Sequence, residues 1–302
     1  MNPDGNEPFV AIGQGRSKRS LRDTELVLRS ASIPFVVEPR GSAWVLGVRP
    51  EDVERARREL ADYSREESQR PTHEPIELRP ATWWWQSVVL YVAILIVAHL
   101  FATHSAFDEN WYTAGRAHAE SIRSGGWWRT ITALFLHTGV PHLSSNLLYG
   151  SIFAGLVAYT RGGGVAFLGV LAAGAMGNAI NAFAQDPGHL SVGASTAVFG
   201  AVGLLCGTEW RRRAYLKVDR MRRFGPLFLG VVLFSWLGVG ENPEVDRIDV
   251  FAHVFGVVAG IALGAFSASL PEAWARSIKV QSLATLATVA LVGGAWLIAF
   301  AA

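Results

Sequence analysis

The sequence has little charge and almost no cysteine. Charged residues make up 17% of the 302 residues and hydrophobic residues 50%, whereas a soluble enzyme of this length usually carries more charge. A net charge of +2 gives no indication of a nucleic-acid partner. Cys206 is the single cysteine, which excludes an intramolecular disulfide and a cysteine-rich metal site. Residues 1–20 contain no continuous apolar segment, so we expect no cleavable signal peptide.

The character of the chain changes near residue 80. Before this point, short apolar segments among polar residues follow the order β-α-β-β-α. This order resembles a small cytoplasmic α+β domain of the ferredoxin-like kind, which we predict at residues 1–63 and in which we find no catalytic cluster. Residues 64–82, rich in Glu, Arg and Pro, are predicted to be a linker.

Apolar segments long enough to cross a bilayer, which needs about 20 residues per helix, follow from residue 83 onward. Trp83 to Trp85 stand at the start of the first segment, where an interfacial aromatic belt is expected. The predicted transmembrane segments are 84–103, 141–159, 164–185, 193–208, 225–240, 248–269 and 280–301.

The arginine-rich loop from Glu209 to Arg223 joins the fourth and fifth segments. The positive-inside rule places this loop in the cytoplasm, so the N-terminus is predicted to be cytoplasmic and the C-terminus outside. Contact of the loop with anionic lipid is a second possibility.

A serine and a histidine stand near the predicted outer ends of two apolar segments. Ser195 lies in the motif Gly193–Phe199 at the start of the fourth segment, and His253 lies in Ala252–Gly256 of the sixth. Both side chains are costly to leave unpaired in lipid, and the topology puts them at similar depth. We therefore predict a serine nucleophile and its base.

Glycines on the same two segments allow their backbones to approach closely. Gly256, Gly260 and Gly264 form one small-residue ridge, and Gly203 and Gly207 form a shorter one. Helix packing alone is the simpler explanation of such ridges. Here the same residues also allow the serine hydroxyl and the imidazole to meet.

Three further polar residues have two interpretations each. His142 and Asn146 share one face of the second segment, where they either donate to a developing oxyanion or bond neighbouring helices together. Asp249 shares a face with His253 and either orients that histidine or caps the helix.

Together these motifs resemble the rhomboid family of intramembrane serine proteases. The resemblance is carried by Trp128-Arg129, by His142 with Asn146, by Gly193-Ala194-Ser195, and by Ala252–Gly256. It implies Ser195 as the nucleophile and His253 as the general base and acid. It implies an oxyanion hole formed by His142, Asn146 and the Ser195 amide. The site would be lined by Gly193, Phe199 and Gly256.

The resemblance also implies an all-α polytopic membrane protein. Its six-helix catalytic domain would span residues 83–270, and residues 271–302 would add a loop and a seventh transmembrane helix with no polar constellation, packed on the outside. The substrates would be transmembrane proteins in the lipid bilayer, with no metal and no other cofactor. The absence of a transit peptide favours a bacterial plasma membrane.

One departure from the family pattern stands beside the serine, where Thr196 replaces the usual glycine and is predicted to narrow the mouth of the site. Two other functions stay open. A non-proteolytic relative would bind or chaperone transmembrane helices, but such proteins lose the serine or the histidine. A transporter or channel would carry charged residues in mid-helix, whereas Asn178, Asn181 and Gln185 are uncharged and are predicted to bond helices together.

Overall fold

The fold is taken from a computed structural model, which describes residues 9–69, 80–216, 218–237 and 249–302. The chain separates into two compact units, residues 1–77 and residues 78–302. Most of the described residues are helical, and the described strands longer than two residues lie in the first unit.

The first unit is a three-stranded antiparallel sheet with two helices. Its buried core joins Leu28, Leu46, Val48 and Ala56, because the central strand and both helices each turn an apolar face inward. The strand order is β1-β3-β2. The elements are β1 (Val10–Gly15), α1 (Arg22–Ser30), β2 (Phe35–Arg40), β3 (Ala43–Val48) and α2 (Val53–Gln69), with 3-10 turns at Lys18–Leu21 and Pro50–Asp52.

The predicted linker is partly helical. Helix α2 continues to Gln69, so residues 64–69 extend the preceding helix. Glu and Arg are good helix formers, and an Arg65–Asp62 ion pair at 3.3 Å lies one turn apart on this helix. Residues 70–79 of the predicted linker lie outside the described residues.

The second unit contains seven long helices among its described residues. Four of them are long and apolar enough to cross a membrane by length and composition, namely Trp84–Thr103, Gly163–Ala184, Val250–Ser267 and Ile278–Ala301. The elements are α3 (Trp84–Thr103), α4 (Trp111–Gly115), β4 (Ala117–His118), α5 (Ala119–Arg123), α6 (Arg129–Thr132), α7 (Val140–Arg161), α8 (Gly163–Ala184), β5 (Leu190–Ser191), α9 (Ser195–Tyr215), α10 (Arg220–Leu237), α11 (Val250–Ser267), α12 (Glu272–Ala275) and α13 (Ile278–Ala301), with 3-10 turns at Ala106–Asp108 and Ala133–Phe135.

Helix α9 is longer than predicted. It runs to Tyr215 rather than to residue 208, and α10 starts at Arg220 rather than at residue 225. Glu209 accepts hydrogen bonds from Arg212 at 2.7 Å and Arg213 at 2.6 Å, one helical turn further on. Such i,i+3 and i,i+4 pairs stabilise additional helical turns beyond the apolar segment, so most of the predicted arginine-rich loop is helical.

Helices α8, α9 and α11 pack together through glycines. A Cβ atom on Gly203 would lie 2.2 Å from the Val257 carbonyl oxygen, and one on Gly260 would lie 2.1 Å from the Gly200 carbonyl oxygen. No residue with a side chain fits at such distances. The two glycine ridges predicted from the sequence therefore face each other and bring α9 and α11 into backbone contact.

Helix α13 has a polar contact set that the sequence analysis did not predict. The fully buried Gln281 accepts hydrogen bonds from the amides of Gly164 (2.9 Å) and Val165 (3.2 Å). Its amide nitrogen donates to the carbonyls of Arg161 (2.8 Å) and Ala275 (2.6 Å). The expectation of no polar constellation in this helix did not anticipate these contacts, because the partners of Gln281 are backbone atoms, three at the distant α7–α8 turn and one in the short helix before α13.

The other end of α13 packs against α4. The Trp296 ring lies 4.6 Å from the Trp111 ring, and the Phe300 ring lies 4.9 Å from Trp111. A Cβ on Gly115 would lie 2.6 Å from Trp296, so this glycine makes room for the indole. Helix α13 is thus attached at both ends to the remainder of the unit.

Candidate active site

Ser195 and His253 are hydrogen-bonded to each other. Ser195 is the first residue of α9, and His253 lies in the first turn of α11. The distance from His253 Nε2 to Ser195 Oγ is 2.8 Å. The Phe199 ring, one turn after the serine, lies against the imidazole with 4.6 Å between ring centroids and 31° between planes. The aromatic contact holds the ring in the plane from which Nε2 reaches the hydroxyl.

Gly193 allows the chain to turn into α9. Its φ of +133° is a conformation that residues with side chains rarely adopt. A Cβ at this position would lie 2.7 Å from both Cε1 and Nε2 of His142, and 3.5 Å from Ser195 Oγ. The space left by the missing side chain therefore lies between the His142 ring and the serine hydroxyl.

The three residues predicted to supply an oxyanion hole, His142, Asn146 and Ser195, line the same cleft. Thr138 Oγ1 lies 3.3 Å from His142 Nδ1, and a hydroxyl that donates to Nδ1 leaves the imidazole proton on Nε2, toward Gly193. Asn146 Nδ2 donates one hydrogen to the His142 carbonyl at 3.0 Å and carries a second hydrogen. The Ser195 N–H is at the first position of a helix, where backbone donors have no intrahelical partner and the helix dipole favours negative charge.

A cleft of about 1160 Å³ opens onto these groups. It is lined by Ser195, His253, His142, Asn146 and Phe199, together with Tyr112, Arg116, His189 and Asp249. Gly256 lies at the interface of α9 and α11, where a Cβ would be 2.3 Å from the Thr196 carbonyl oxygen. The lining roles of Gly193 and Gly256 stay predictions.

Thr196 lines the cleft, and the residue is 2% exposed, so a narrower mouth stays a prediction. Its methyl group packs between α8 and α11. A Cβ on Gly177 would lie 2.7 Å from the Thr196 methyl carbon, and one on Gly256 would lie 3.3 Å from it. The first turn of α9 rotates this side chain away from Ser195 into the helix interface, where the two glycines leave room for it.

His137 is a residue of the site region that the sequence analysis did not single out. It is fully buried, its ring lies 5.1 Å from the His142 ring, and its Nε2 accepts a hydrogen bond from the Ala194 amide at 3.4 Å. Burial, with smaller effects of His142 and His99, lowers the pKa of His137 to about 3. The ring is therefore neutral near pH 7 and can accept from the residue before the serine. The sequence could have indicated His137, because it is a second histidine five residues before His142.

The Trp128-Arg129 motif supports the segment that borders the cleft. Arg129 Nη1 donates to the carbonyls of Thr113 (2.9 Å) and Arg116 (3.0 Å), and Asn178 of α8 donates to the Thr130 carbonyl at 2.9 Å. The predicted helix-bonding role of Asn178 fits this contact.

Asp249 is the N-cap of α11. Its Oδ1 accepts a hydrogen bond from the Ala252 amide at 3.0 Å. This contact is the helix cap, which was one of the two roles that the sequence left open for Asp249; the other was to orient His253. Within the described part of the chain, no group of three or more His, Cys, Asp and Glu side chains is arranged to hold a metal ion.

Comparisons with known proteins agree with the geometry. Residues 124–269 match the family model described as Rhomboid domain, and this range contains Ser195, His253, His142 and Asn146. The chain is 29% identical over 205 residues to Rhomboid protease GluP of Bacillus subtilis, a match that covers 67% of this chain and 38% of the relative. It is 27% identical over 213 residues to Rhomboid-like protease 3 of Toxoplasma gondii, which covers 69% of this chain and 78% of the relative.

A third relative has a shorter match. Rhomboid-like protease 1 of Toxoplasma gondii is 31% identical over 156 residues, which is 50% of each chain. The matches confirm the resemblance that the sequence motifs indicated, and four apolar helices support a multi-pass membrane protein.

Proposed function

The chain belongs to the rhomboid family, and from that premise we propose that it is an intramembrane serine protease with Ser195 as nucleophile and His253 as general base and acid. The observation that carries the proposal is the 2.8 Å hydrogen bond between His253 Nε2 and Ser195 Oγ. A nucleophile and a base within hydrogen-bond reach, at the start of two tightly packed helices, are the requirement for acyl transfer.

In the proposed reaction, His253 Nε2 takes the Oγ proton while Oγ attacks the carbonyl carbon of a peptide bond. The resulting oxyanion accepts hydrogen bonds from the Ser195 amide, from His142 Nε2 and from Asn146 Nδ2, a role supported by the position of all three residues in the lining of the cleft. The imidazolium then protonates the leaving amine, which breaks the C–N bond and leaves an acyl-enzyme. His253 next takes a proton from water, the hydroxide attacks the ester, and the proton returns to Ser195 Oγ.

Four of the long helices in the second unit are long and apolar enough to cross a membrane. We propose that all seven long helices of this unit cross it. The arginines at the junction of α9 and α10 support a cytoplasmic N-terminus, an outer C-terminus and a cleft that opens outside. The substrates are then transmembrane proteins. Their helices must unwind near the outer surface, because a regular helix hides its carbonyl groups. A bacterial plasma membrane is the proposed location.

The test is cleavage of a model transmembrane substrate by the purified protein in detergent. Ser195→Ala and His253→Ala should each abolish cleavage while the fold is kept. Ser267→Ala and His104→Ala, which remove the same groups from residues that do not line the cleft, should cleave as wild type does. Residual cleavage by either dyad variant above about a tenth of wild type would contradict the dyad, since losing a triad member costs about 10⁴-fold or more in other serine proteases.

A non-proteolytic role is the alternative outcome. It requires that the wild-type protein binds the substrate helix without cutting it, which co-purification of the intact substrate would detect.

A further inference from the structure

Three polar residues form a second hydrogen-bonded cluster beside the proposed catalytic pair. Asn181 stands near the end of α8, His189 lies in the segment between α8 and α9, and Asp249 caps α11. His189 and Asp249 border the cleft, with side chains 28% and 13% exposed, and Asn181 is buried. The three residues are here called the rim cluster.

The Asp249 carboxylate uses its two oxygens for different purposes. Oδ1 accepts from the Ala252 amide and caps the helix. Oδ2 accepts from Asn181 Nδ2 at 2.6 Å and lies 2.7 Å from His189 Nε2, which donates when it carries the proton. The cap would be complete with Oδ1 alone, so the contacts of Oδ2 call for a separate explanation.

The rim cluster connects the serine side of the cleft with the histidine side. The segment that holds His189 leads directly into Ser195, and it is fixed to the neighbouring loop by β4–β5 pairing and by a hydrogen bond from the Ala119 amide to the His189 carbonyl at 3.0 Å. On the other side, the Asp249 carbonyl accepts from the His253 amide at 3.2 Å. One carboxylate therefore joins both sides within one helical turn of His253.

We propose that Asp249, Asn181 and His189 are positioning residues, which hold the start of α11, and with it His253, in register with Ser195. The inference rests on the proposed function and extends it. None of the three needs to touch substrate. Their effect is on the 2.8 Å Ser195–His253 hydrogen bond, because reactions of this kind are sensitive to misplacement by about 1 Å.

Asp249→Asn separates this role from capping. Asparagine caps a helix about as well as aspartate, so the Oδ1 contact with Ala252 is kept. At the Oδ2 position an NH₂ group replaces the charged acceptor that Asn181 Nδ2 and His189 Nε2 share, so both charge-assisted hydrogen bonds are lost and both partners must reorient. We expect kcat to fall about 10-fold to 100-fold with KM little changed, on the scale that such misplacement produces. A role as helix cap alone predicts wild-type kcat, and that result would overturn the proposal.

The reciprocal variant Asp249→Asn/Asn181→Asp is the rescue experiment. It restores one carboxylate opposite one amide, and the second hydrogen of the new amide at position 249 can donate to His189 Nε2 in its other tautomer. Recovery of most of the lost kcat is expected. A double variant that is no more active than Asp249→Asn would contradict the coupling of these residues.

His189 offers a test on a partly exposed segment, where misfolding is a smaller concern. His189→Gln keeps an amide donor near the Nε2 position and should retain kcat, whereas His189→Ala should lose it severalfold at unchanged KM. Equal activity of the two variants would overturn the role of His189.

The rate of hydrogen exchange at the amides of residues 250–254 reports how firmly the start of α11 is held, and it requires no cleavage assay. Exchange should be faster in Asp249→Asn than in wild type and should slow again in the double variant; unchanged exchange would contradict the proposal. If wild type itself fails to cleave, the proposed function is wrong, and this measurement still decides whether the rim cluster holds the helix.

Discussion

Gly256→Ala adds a single carbon atom at the interface that brings Ser195 and His253 together. Gly256 lies one turn after His253, and the new Cβ would be 2.3 Å from the Thr196 carbonyl oxygen and 3.2 Å from the carbonyl carbon. These are backbone atoms in the first turn of α9, so no side-chain rotation relieves the clash. The two helices must separate by about 1 Å to reach ordinary van der Waals contact.

The separation acts directly on the hydrogen bond of the proposed catalytic pair. Lengthening the 2.8 Å Ser195–His253 contact by about 1 Å exceeds the range of a hydrogen bond. Misplacement on this scale costs about 100-fold in rate. The cost in folding is smaller, because overpacking of about 1–3 kcal/mol is partly offset by the roughly 1 kcal/mol by which alanine favours a helix over glycine.

The assay is turnover of a model transmembrane substrate in detergent, measured beside the thermal midpoint of unfolding. Gly293→Ala in α13 is the matched control, since a Cβ there has no atom within 4 Å. The control should keep full turnover, with an equal or higher midpoint. Turnover of Gly256→Ala within about twofold of wild type would refute the argument that backbone contact between α9 and α11 sets the geometry of the pair.

Three further changes test other parts of the structure. Asn146→Ala should reduce kcat about 10²–10³-fold with little change in KM, because it removes a proposed oxyanion donor; a lower thermal midpoint with normal kcat would instead support helix bonding alone. Gln281→Leu should lower the thermal midpoint, since the Gly164 and Val165 amides lose their partner at about 1–3 kcal/mol each; an unchanged midpoint would show that the contact adds no stability. Deletion of residues 1–75 should leave cleavage within about threefold of full length, because separate compact units generally fold alone; a folded but inactive truncation would make the first unit part of the enzyme.

The catalytic candidates were identifiable from the sequence because each stands in a short local pattern. Gly193 before Ser195 marks a turn into a helix, and the turn itself places the hydroxyl at the helix start. The four-residue spacing of His142 and Asn146 puts both on one face of α7. The glycine spacings on α9 and α11 likewise predict which faces meet. Local geometry of this kind depends on a few consecutive dihedral angles and needs no knowledge of the fold.

Helix ends were less predictable, because an apolar segment marks only the part of a helix that lies in lipid. The helix itself can continue beyond that segment. The Glu209 pairs with Arg212 and Arg213 continue α9 beyond its apolar part, and α2 likewise extends into the expected linker. Both extensions depend on polar side chains one turn apart, which stabilise a helix in water.

Contacts between distant segments were decided only by the tertiary structure. The direction of the Thr196 methyl depends on the rotation of α9 against α8 and α11. The partners of Gln281 are backbone groups, which have no residue identity that a sequence pattern could reveal. The meeting of Asp249 with Asn181 and His189 requires three segments to end at the same rim of the cleft. Side-chain chemistry and local spacing belong to the sequence, whereas the pairing of buried polar groups follows from how the packed helices are rotated and shifted against each other.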